Sequence, residues 1–143
     1  MKVIISLIFF LFTATTYAQC VDFTGKYQHP DPANPYGNIE LVQNGCDTQT
    51  NTWYLSDGTT ISITVITDGR LRRSCKEGRC SMKAYTLTSD SFKGIEIHQE
   101  GDRIKYSNTM MVKLNTGDLE ITSESVDWDG QETANKTIWK FVP

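Results

Sequence analysis

The chain is divided at short, regular intervals by turn signals that contain glycine. Asn44-Gly45, Asp57-Gly58 and Asp68-Gly69 favour tight hairpin turns, and two more glycine-containing turns follow near residues 101 and 117. Between the turns, apolar and polar residues alternate with the two-residue period of a half-buried strand, most clearly in 59–67. Beyond residue 18, no segment keeps the period of a helix. The sequence therefore predicts an all-β antiparallel up-and-down meander of about eight to nine strands.

Three stretches require separate interpretation. Residues 29–37 contain three prolines, a density that a paired strand does not tolerate, so we expect a loop there. Residues 47–52 are polar and are predicted to be irregular. In the long predicted strand 103–114, the apolar and aromatic residues share one parity, which makes Tyr106 a candidate for the interior. Those residues are Ile104, Tyr106, Met110, Val112 and Leu114.

Residues 1–18 have the features of a secretory signal peptide. Lys2 forms a short basic region, 3–12 is almost wholly apolar, and Thr16-Tyr17-Ala18 fits the small-residue cleavage rule. The apolar run is shorter than the roughly 20 residues that cross a membrane, so a retained anchor is the weaker alternative. We expect cleavage near Ala18 to leave one domain, residues 19–143, that is secreted or periplasmic and has no transmembrane segment.

The charge balance of the predicted mature chain is mildly acidic. Lys2 is the one charged residue among the first 18, so residues 19–143 carry 14 − 1 = 13 Lys and Arg against 17 Asp and Glu, a net charge of −4. Such a balance favours solubility and argues against nucleic acid as a partner.

All four cysteines lie after the predicted signal peptide, and an even number in an exported chain indicates disulfides. Of the three pairings that four cysteines allow, we favour Cys20–Cys46 and Cys75–Cys80, because each pair brackets a predicted hairpin or turn. Lipid attachment at Cys20 is disfavoured, since Gln19 is not the small residue that normally precedes such a cysteine. The spacings also do not match those of structural zinc sites, so no metal is predicted.

A meander of short strands is typical of a sandwich or an up-and-down barrel. Closure into a barrel removes the two exposed edges of the sheet. The first and last predicted strands both carry aromatic residues, and we therefore expect Phe23–Tyr27 to pair with Trp139–Phe141.

The run from Cys20 to Tyr27, which reads C-V-D-F-T-G-K-Y, resembles the start of avidins, where a cysteine is closely followed by L-T-G-K-W. It also resembles the lipocalin G-x-W element, with Tyr27 in place of tryptophan. Together with the meander, this run is similar to calycin-type barrels, which comprise lipocalins, fatty-acid-binding proteins and avidins. The resemblance implies a lipocalin-like barrel around a cavity. It implies no particular ligand, because the lipocalin T-D-Y element is missing and the biotin-contacting residues of avidins do not align.

An eight-stranded barrel has room for packed side chains or for one small ligand. Aromatic residues distributed along the predicted strands and loops are the candidates to line such a site. They are Tyr27, Trp53, Tyr85, Tyr106, Trp128 and Trp139. The alternative is that these aromatics fill the core, as they do in most small domains. Trp53 and Trp128 lie near predicted strand ends and are the better candidates for the mouth of a site.

A basic cluster stands out in this acidic chain. It consists of Arg70, Arg72, Arg73, Lys76 and Arg79, and only Glu77 offsets it. One interpretation is a site for an anion or an acidic partner, since arginine binds carboxylates and phosphates in a bidentate manner. The alternative, which we favour, is a solvated edge strand whose charges prevent pairing with other chains.

Catalytic and cofactor motifs are not recognisable. His29 near Asp31, and His98 near Glu96 and Glu100, could serve a metal or acid–base chemistry, but their spacing matches no known motif. No nucleophile elbow or phosphate-binding loop is present, and no cofactor is predicted. Asn135 begins a glycosylation sequon, which matters only if the host glycosylates exported proteins.

The sequence therefore predicts a non-enzymatic, lipocalin-like binding protein for a small molecule or lipid that is partly apolar. The alternative is a disulfide-stapled interaction or inhibitor module that recognises a protein through its loops, because such domains present loops on a rigid frame.

Overall fold

The computed structural model describes residues 19–143, so the predicted signal peptide lies outside the described residues. Within this range the chain forms ten β-strands, and no helix is long and apolar enough to cross a membrane. The strands are β1 (Gly25–Gln28), β2 (Asn38–Asn44), β3 (Thr48–Tyr54), β4 (Thr60–Ile66), β5 (Arg72–Lys76), β6 (Arg79–Leu87), β7 (Ser91–Glu100), β8 (Arg103–Lys113), β9 (Leu119–Val126) and β10 (Glu132–Val142). The all-β class is confirmed, whereas the predicted count of eight to nine strands is wrong.

The ten strands form one antiparallel sheet in the order β4-β3-β2-β1-β10-β9-β8-β7-β6-β5. The predicted pairing of the first and last strands is confirmed, with Tyr27 directly opposite Phe141. The two edges of the sheet are β4 and β5, which are neighbours in the chain but are not paired with each other. Hydrogen bonding between strands therefore does not close the sheet into a barrel, and a gap remains between β4 and β5. An isolated bridge between Asp68 and Thr86 lies beside this gap.

The polar residues 47–52 were expected to be irregular, and this prediction is wrong because most of them belong to β3. Both sides of β3 are hydrogen-bonded, to β2 and to β4, so the backbone groups are satisfied despite the polar side chains. The buried Gln49 donates from Nε2 to Oδ1 of Asn51 at 2.7 Å. On the other face, Thr50 pairs with the hydroxyl of Thr64 at 2.8 Å.

The main core lies around β1, which is paired with β2 on one side and with β10 on the other. Phe23, Tyr27, Leu41 and Leu119 are fully buried there. The Tyr27 hydroxyl donates to the carbonyl oxygen of Phe23 at 2.9 Å, so its buried polar atom is satisfied. Burial of a large apolar side chain contributes about 1.5–3 kcal/mol, so this cluster makes a large contribution to stability.

Both predicted disulfides are confirmed. Cys20–Cys46 joins the segment before β1 to the turn between β2 and β3, with the Cα atoms 5.7 Å apart. Cys75–Cys80 joins directly opposite positions of the β5–β6 hairpin, with the Cα atoms 4.1 Å apart. Each disulfide therefore secures a hairpin end, one beside the core and one at an edge of the sheet.

Candidate functional site

The sheet curves around an open cavity of about 570 Å³. One side of the cavity is formed by β2, β3 and β4, and the other by β6 to β10. The loop 29–37, called the proline loop below, contributes to the lining between them. The volume is within the range of about 300–1,000 Å³ that is usual for small-molecule sites.

The β4 side of the cavity is apolar. Ile61, Ile63 and Val65 alternate with polar residues, as the sequence predicted, and all three line the cavity. Ile61 and Ile63 are nevertheless 39% and 48% exposed, whereas Val65 is buried. The two isoleucines therefore face the interior of the curved sheet without being covered by protein.

The facing side of the cavity carries a row of hydroxyl groups on β8, β9 and β10. Its members, called the hydroxyl row below, are Ser107, Thr109, Ser123 and Thr137. Within residues 19–143, none of these four hydroxyls has a hydrogen-bond partner. Farther along the same strands, by contrast, Ser125 and Thr133 bond to each other at 2.8 Å. The hydroxyl row consequently offers donors and acceptors to whatever occupies the cavity.

A connected polar group lies beside the hydroxyl row, on β6 and β7. Glu96 accepts a hydrogen bond from the Tyr85 hydroxyl through Oε1. Its other oxygen, Oε2, is 2.9 Å from Nζ of Lys83 and 3.3 Å from Nε2 of His98. Tyr85 and Glu96 line the cavity, so this group forms the polar part of its β6–β7 wall.

The partners of Glu96 determine its charge state. Burial on its own would raise the pKa of Glu96, but the hydrogen bonds from Tyr85 and Lys83 and the nearby lysine charge outweigh burial and lower the pKa. Burial, assisted by the hydrogen bond to Glu96, raises the pKa of Tyr85. At neutral pH the cavity therefore contains a carboxylate that is ionised and already paired.

The proline loop is ordered around His29. The backbone N–H of Asp31 donates to Nδ1 of His29 at 3.0 Å, and the imidazole ring meets Trp139 edge-on with centroids 4.9 Å apart. His29, Asn34 and Tyr36 all line the cavity. The proline loop thus places His29 and Tyr36 in the lining of the cavity, with His29 against Trp139.

Three of the six aromatic residues predicted to line a site do line the cavity, and three do not. Trp53, Tyr85 and Trp139 line the cavity. Tyr27 instead belongs to the buried core, and Trp128 lines a second concavity of about 580 Å³ at the hairpin ends. There the Trp128 ring lies 5.7 Å from the guanidinium carbon of Arg103.

Tyr106 does not line the cavity, because the inward parity of β8 is the opposite of the expected one. Ser107, Thr109 and Met111 face the cavity, and alternation places Tyr106 and Met110 on the other face. The even-numbered apolar residues of β8 suggested the wrong face. Both faces of this strand carry apolar side chains, and the face toward the cavity is partly polar.

The basic cluster is largely paired with acidic side chains. Arg72 binds both oxygens of Asp68, at 2.9 and 2.7 Å, and Arg70 approaches Asp68 at 3.8 Å. Arg79 lies 2.9 Å from Glu100. The Arg72 hydrogen bonds, together with the backbone N–H of Arg70, lower the pKa of Asp68 to about 2. All of β5 is exposed, in agreement with a solvated edge strand.

Sequence reasoning missed the hydroxyl row and treated Glu96 only as a neighbour of His98. Phe92, Gly94 and Glu96 share one parity in β7, and this alternation could have placed Glu96 with the interior residues. The hydroxyl row gives no such signal, because serine and threonine are mostly exposed residues and their occurrence in a strand does not indicate an inner face.

Comparisons with protein-family models, with curated proteins and with solved structures gave no match. The resemblance of the opening run to calycins therefore stays a prediction.

Proposed function

We propose that the protein is a secreted or periplasmic, calycin-like binding protein that takes a small, partly apolar ligand into the cavity and has no catalytic role. The observation that carries this proposal is the exposure of Ile61 and Ile63 on the inner side of the sheet. An uncovered apolar wall inside a concave site is costly in water, and covering it with a ligand recovers that free energy.

The aromatic and polar residues of the lining support the same proposal. Trp53, Trp139 and Tyr36 supply flat apolar surface, while Asn51 and the hydroxyl row supply a limited number of polar groups. A mostly apolar site with a few placed polar groups is the usual composition of a small-molecule pocket.

Tryptophan fluorescence provides the test, with the neutral dye N-phenyl-1-naphthylamine as the first ligand. We expect saturable energy transfer from Trp53 and Trp139 to the bound dye. Trp53→Phe should reduce the transfer, whereas Trp128→Phe, outside the cavity, should leave the affinity unchanged. Absence of saturable binding by this dye would contradict the proposal. A loss of energy transfer in Trp128→Phe as large as that in Trp53→Phe would also contradict it.

A protein-interaction role is the second candidate, and Arg73 favours it. Within the described chain its guanidinium has no carboxylate partner, its one side-chain hydrogen bond is to Sγ of Cys80 at 3.7 Å, and every residue of the strand around it is exposed. Capture of the same partner by wild type and by Arg73→Glu would show that the surface around Arg73 does not bind that partner. Loss of capture only in Arg73→Glu, with Lys105→Glu as the control, would support it.

A further inference from the structure

Glu96 is the only Asp, Glu, Lys or Arg side chain that lines the cavity among residues 19–143. It is partly exposed, with 31% of its side chain accessible. Its position on β7 is directly opposite Lys83 of β6, and the two side chains form an ion pair at 2.9 Å. The charge that a ligand meets in the cavity is therefore determined by this carboxylate and by what neutralises it.

Among residues 19–143, no lysine or arginine lines the cavity to receive a negatively charged ligand. Lys83 is engaged by Glu96, and His98 approaches the same oxygen at 3.3 Å. The histidine of the lining, His29, accepts a hydrogen bond from the backbone of Asp31 and packs on Trp139. A carboxylate or sulfonate placed in the cavity would lose its hydration and would gain no unpaired cation in return.

The same arrangement suits an uncharged ligand. The hydroxyl row lies on β8 to β10 with its hydrogen-bonding capacity unused, and hydroxyls can both donate and accept. A neutral molecule with hydroxyl, carbonyl or amine groups along one edge could satisfy them. Its other face would pack on Ile61, Ile63 and Trp53.

We infer that the cavity selects uncharged, amphipathic ligands over anionic ones, and that the ionised side chain of Glu96, paired with Lys83, sets this selectivity. The inference rests on the proposed function, since it specifies the class of ligand that the cavity takes. It makes Glu96 a specificity-determining residue and distinguishes this site from one built to hold a fatty acid by its carboxylate.

Two dyes with the same aromatic framework test the inference. N-phenyl-1-naphthylamine is neutral, and 8-anilino-1-naphthalenesulfonate differs from it by one sulfonate group. We expect wild type to bind the neutral dye at least tenfold more tightly. The sulfonate would lose part of its hydration without gaining an unpaired cation, and a tenfold difference in affinity corresponds to a cost of about 1.4 kcal/mol.

Glu96→Gln keeps an acceptor for Tyr85 but leaves the Lys83 charge unpaired. We expect it to raise the affinity for the sulfonate dye about tenfold and to change the affinity for the neutral dye less than about twofold. Glu124→Gln is the matched control, because it removes the same charge at an exposed position of β9 outside the cavity. It should change neither affinity.

Lys83→Met provides an independent second variant. It leaves Glu96 without its principal counter-charge, so binding of the sulfonate dye should weaken further while the neutral dye still binds. Near-ultraviolet circular dichroism checks that each variant is folded. If Glu96→Gln does not fold, the ratio of affinities in Lys83→Met alone tests the inference.

The outcomes separate the two proposals. If neither dye binds to the folded wild type, the proposed function and this inference both fail. If both dyes bind with equal affinity, or if Glu96→Gln and Lys83→Met leave the ratio of affinities unchanged, the cavity still binds ligands but Glu96 does not select them. A ratio that shifts in opposite directions in the two variants supports the inference.

Discussion

The ring of Tyr85 lies against the backbone of Gly94, its direct partner on the neighbouring strand, and a side chain at position 94 would crowd that ring. A Cβ atom at position 94 would be 3.0 Å from Cδ1 and 3.2 Å from Cε1 of Tyr85. The ring passes over the glycine, and its hydroxyl thereby reaches Glu96, two residues farther along β7. A larger residue at 94 would therefore have to displace the Tyr85 ring that supplies this hydrogen bond.

Gly94→Ala should displace Tyr85 and weaken its hydrogen bond to Glu96. We expect a loss of about 1–3 kcal/mol in the free energy of unfolding, the usual cost of overpacking, measured by chemical denaturation. The pKa of Glu96 should rise, because one of the hydrogen bonds that lower it is lost, and carboxylate NMR would detect this. Gly37→Ala is the control, since a Cβ there meets nothing closer than 4.0 Å. Equal effects of the two substitutions would contradict the steric explanation.

Ile63 and Leu41 are both inward-facing aliphatic residues, but they differ in burial. Leu41 is fully buried and Ile63 is 48% exposed. Leu41→Ala should therefore cost about 2–5 kcal/mol of stability, whereas Ile63→Ala should cost less than about 1 kcal/mol. Dye binding should show the reverse order, with Ile63→Ala losing affinity while remaining stable. Thermal denaturation combined with dye titration of both variants provides the measurement.

The ion pair between Asp68 and Arg72 should make stability depend on pH in the acid range. The pKa of Asp68 is lowered from 3.8 to about 2 in the folded chain, so its stabilising contribution is complete above the unfolded value and is lost as pH falls from about 4 to about 2. The stability difference between wild type and Asp68→Asn should therefore shrink over this window. Asp102→Asn removes the same charge at an exposed turn, and denaturation of all three proteins across this range separates the pair from net charge.

The two disulfides should differ in their contribution to stability, because they close loops of different length. The sequence separations are 26 residues for Cys20–Cys46 and 5 for Cys75–Cys80. Loop entropy then predicts losses of about 3.5 and about 2 kcal/mol when each pair is replaced by alanine. Denaturant titration of the two double variants gives the comparison. A larger loss for Cys75–Cys80 would show that the edge hairpin matters more than loop length suggests.

Strand pairing was accessible from the sequence wherever glycine turns separate alternating apolar residues. β4 is the clearest case, and the pairing of β1 with β10 followed from their aromatic residues. β3 was only partly foreseen, because Gln49 and Asn51 occupy inward positions that a binary pattern reserves for apolar residues. Their burial depends on a side-chain hydrogen bond and on two flanking strands, neither of which can be read from local sequence.

The candidate site was predictable to a lesser degree. Trp53, Tyr85 and Trp139 were among the expected lining residues, but Tyr106 was assigned to the wrong face of its strand. Whether the aromatics fill a core or border an empty space depends on the curvature of the whole sheet. The role of Glu96 likewise depends on Lys83 and Tyr85, which reach it from the neighbouring strand.

The position of the two sheet edges bears on how a ligand of the proposed site would enter and leave the cavity. Because β4 and β5 are consecutive in the chain, the link 67–71 spans the gap between them at one end. Thr67 is bound to the carbonyl oxygens of Cys46 and Asp47, and Gly69 donates to that of Tyr85, so the link is secured to both halves of the sheet. Among residues 19–143, no such link joins the edges at the opposite end, near Thr60 and Lys76, so we expect the edges to separate more easily there. For a ligand of the proposed site, the residence time should therefore depend on fluctuations of the β3–β4 and β5–β6 hairpins at that end.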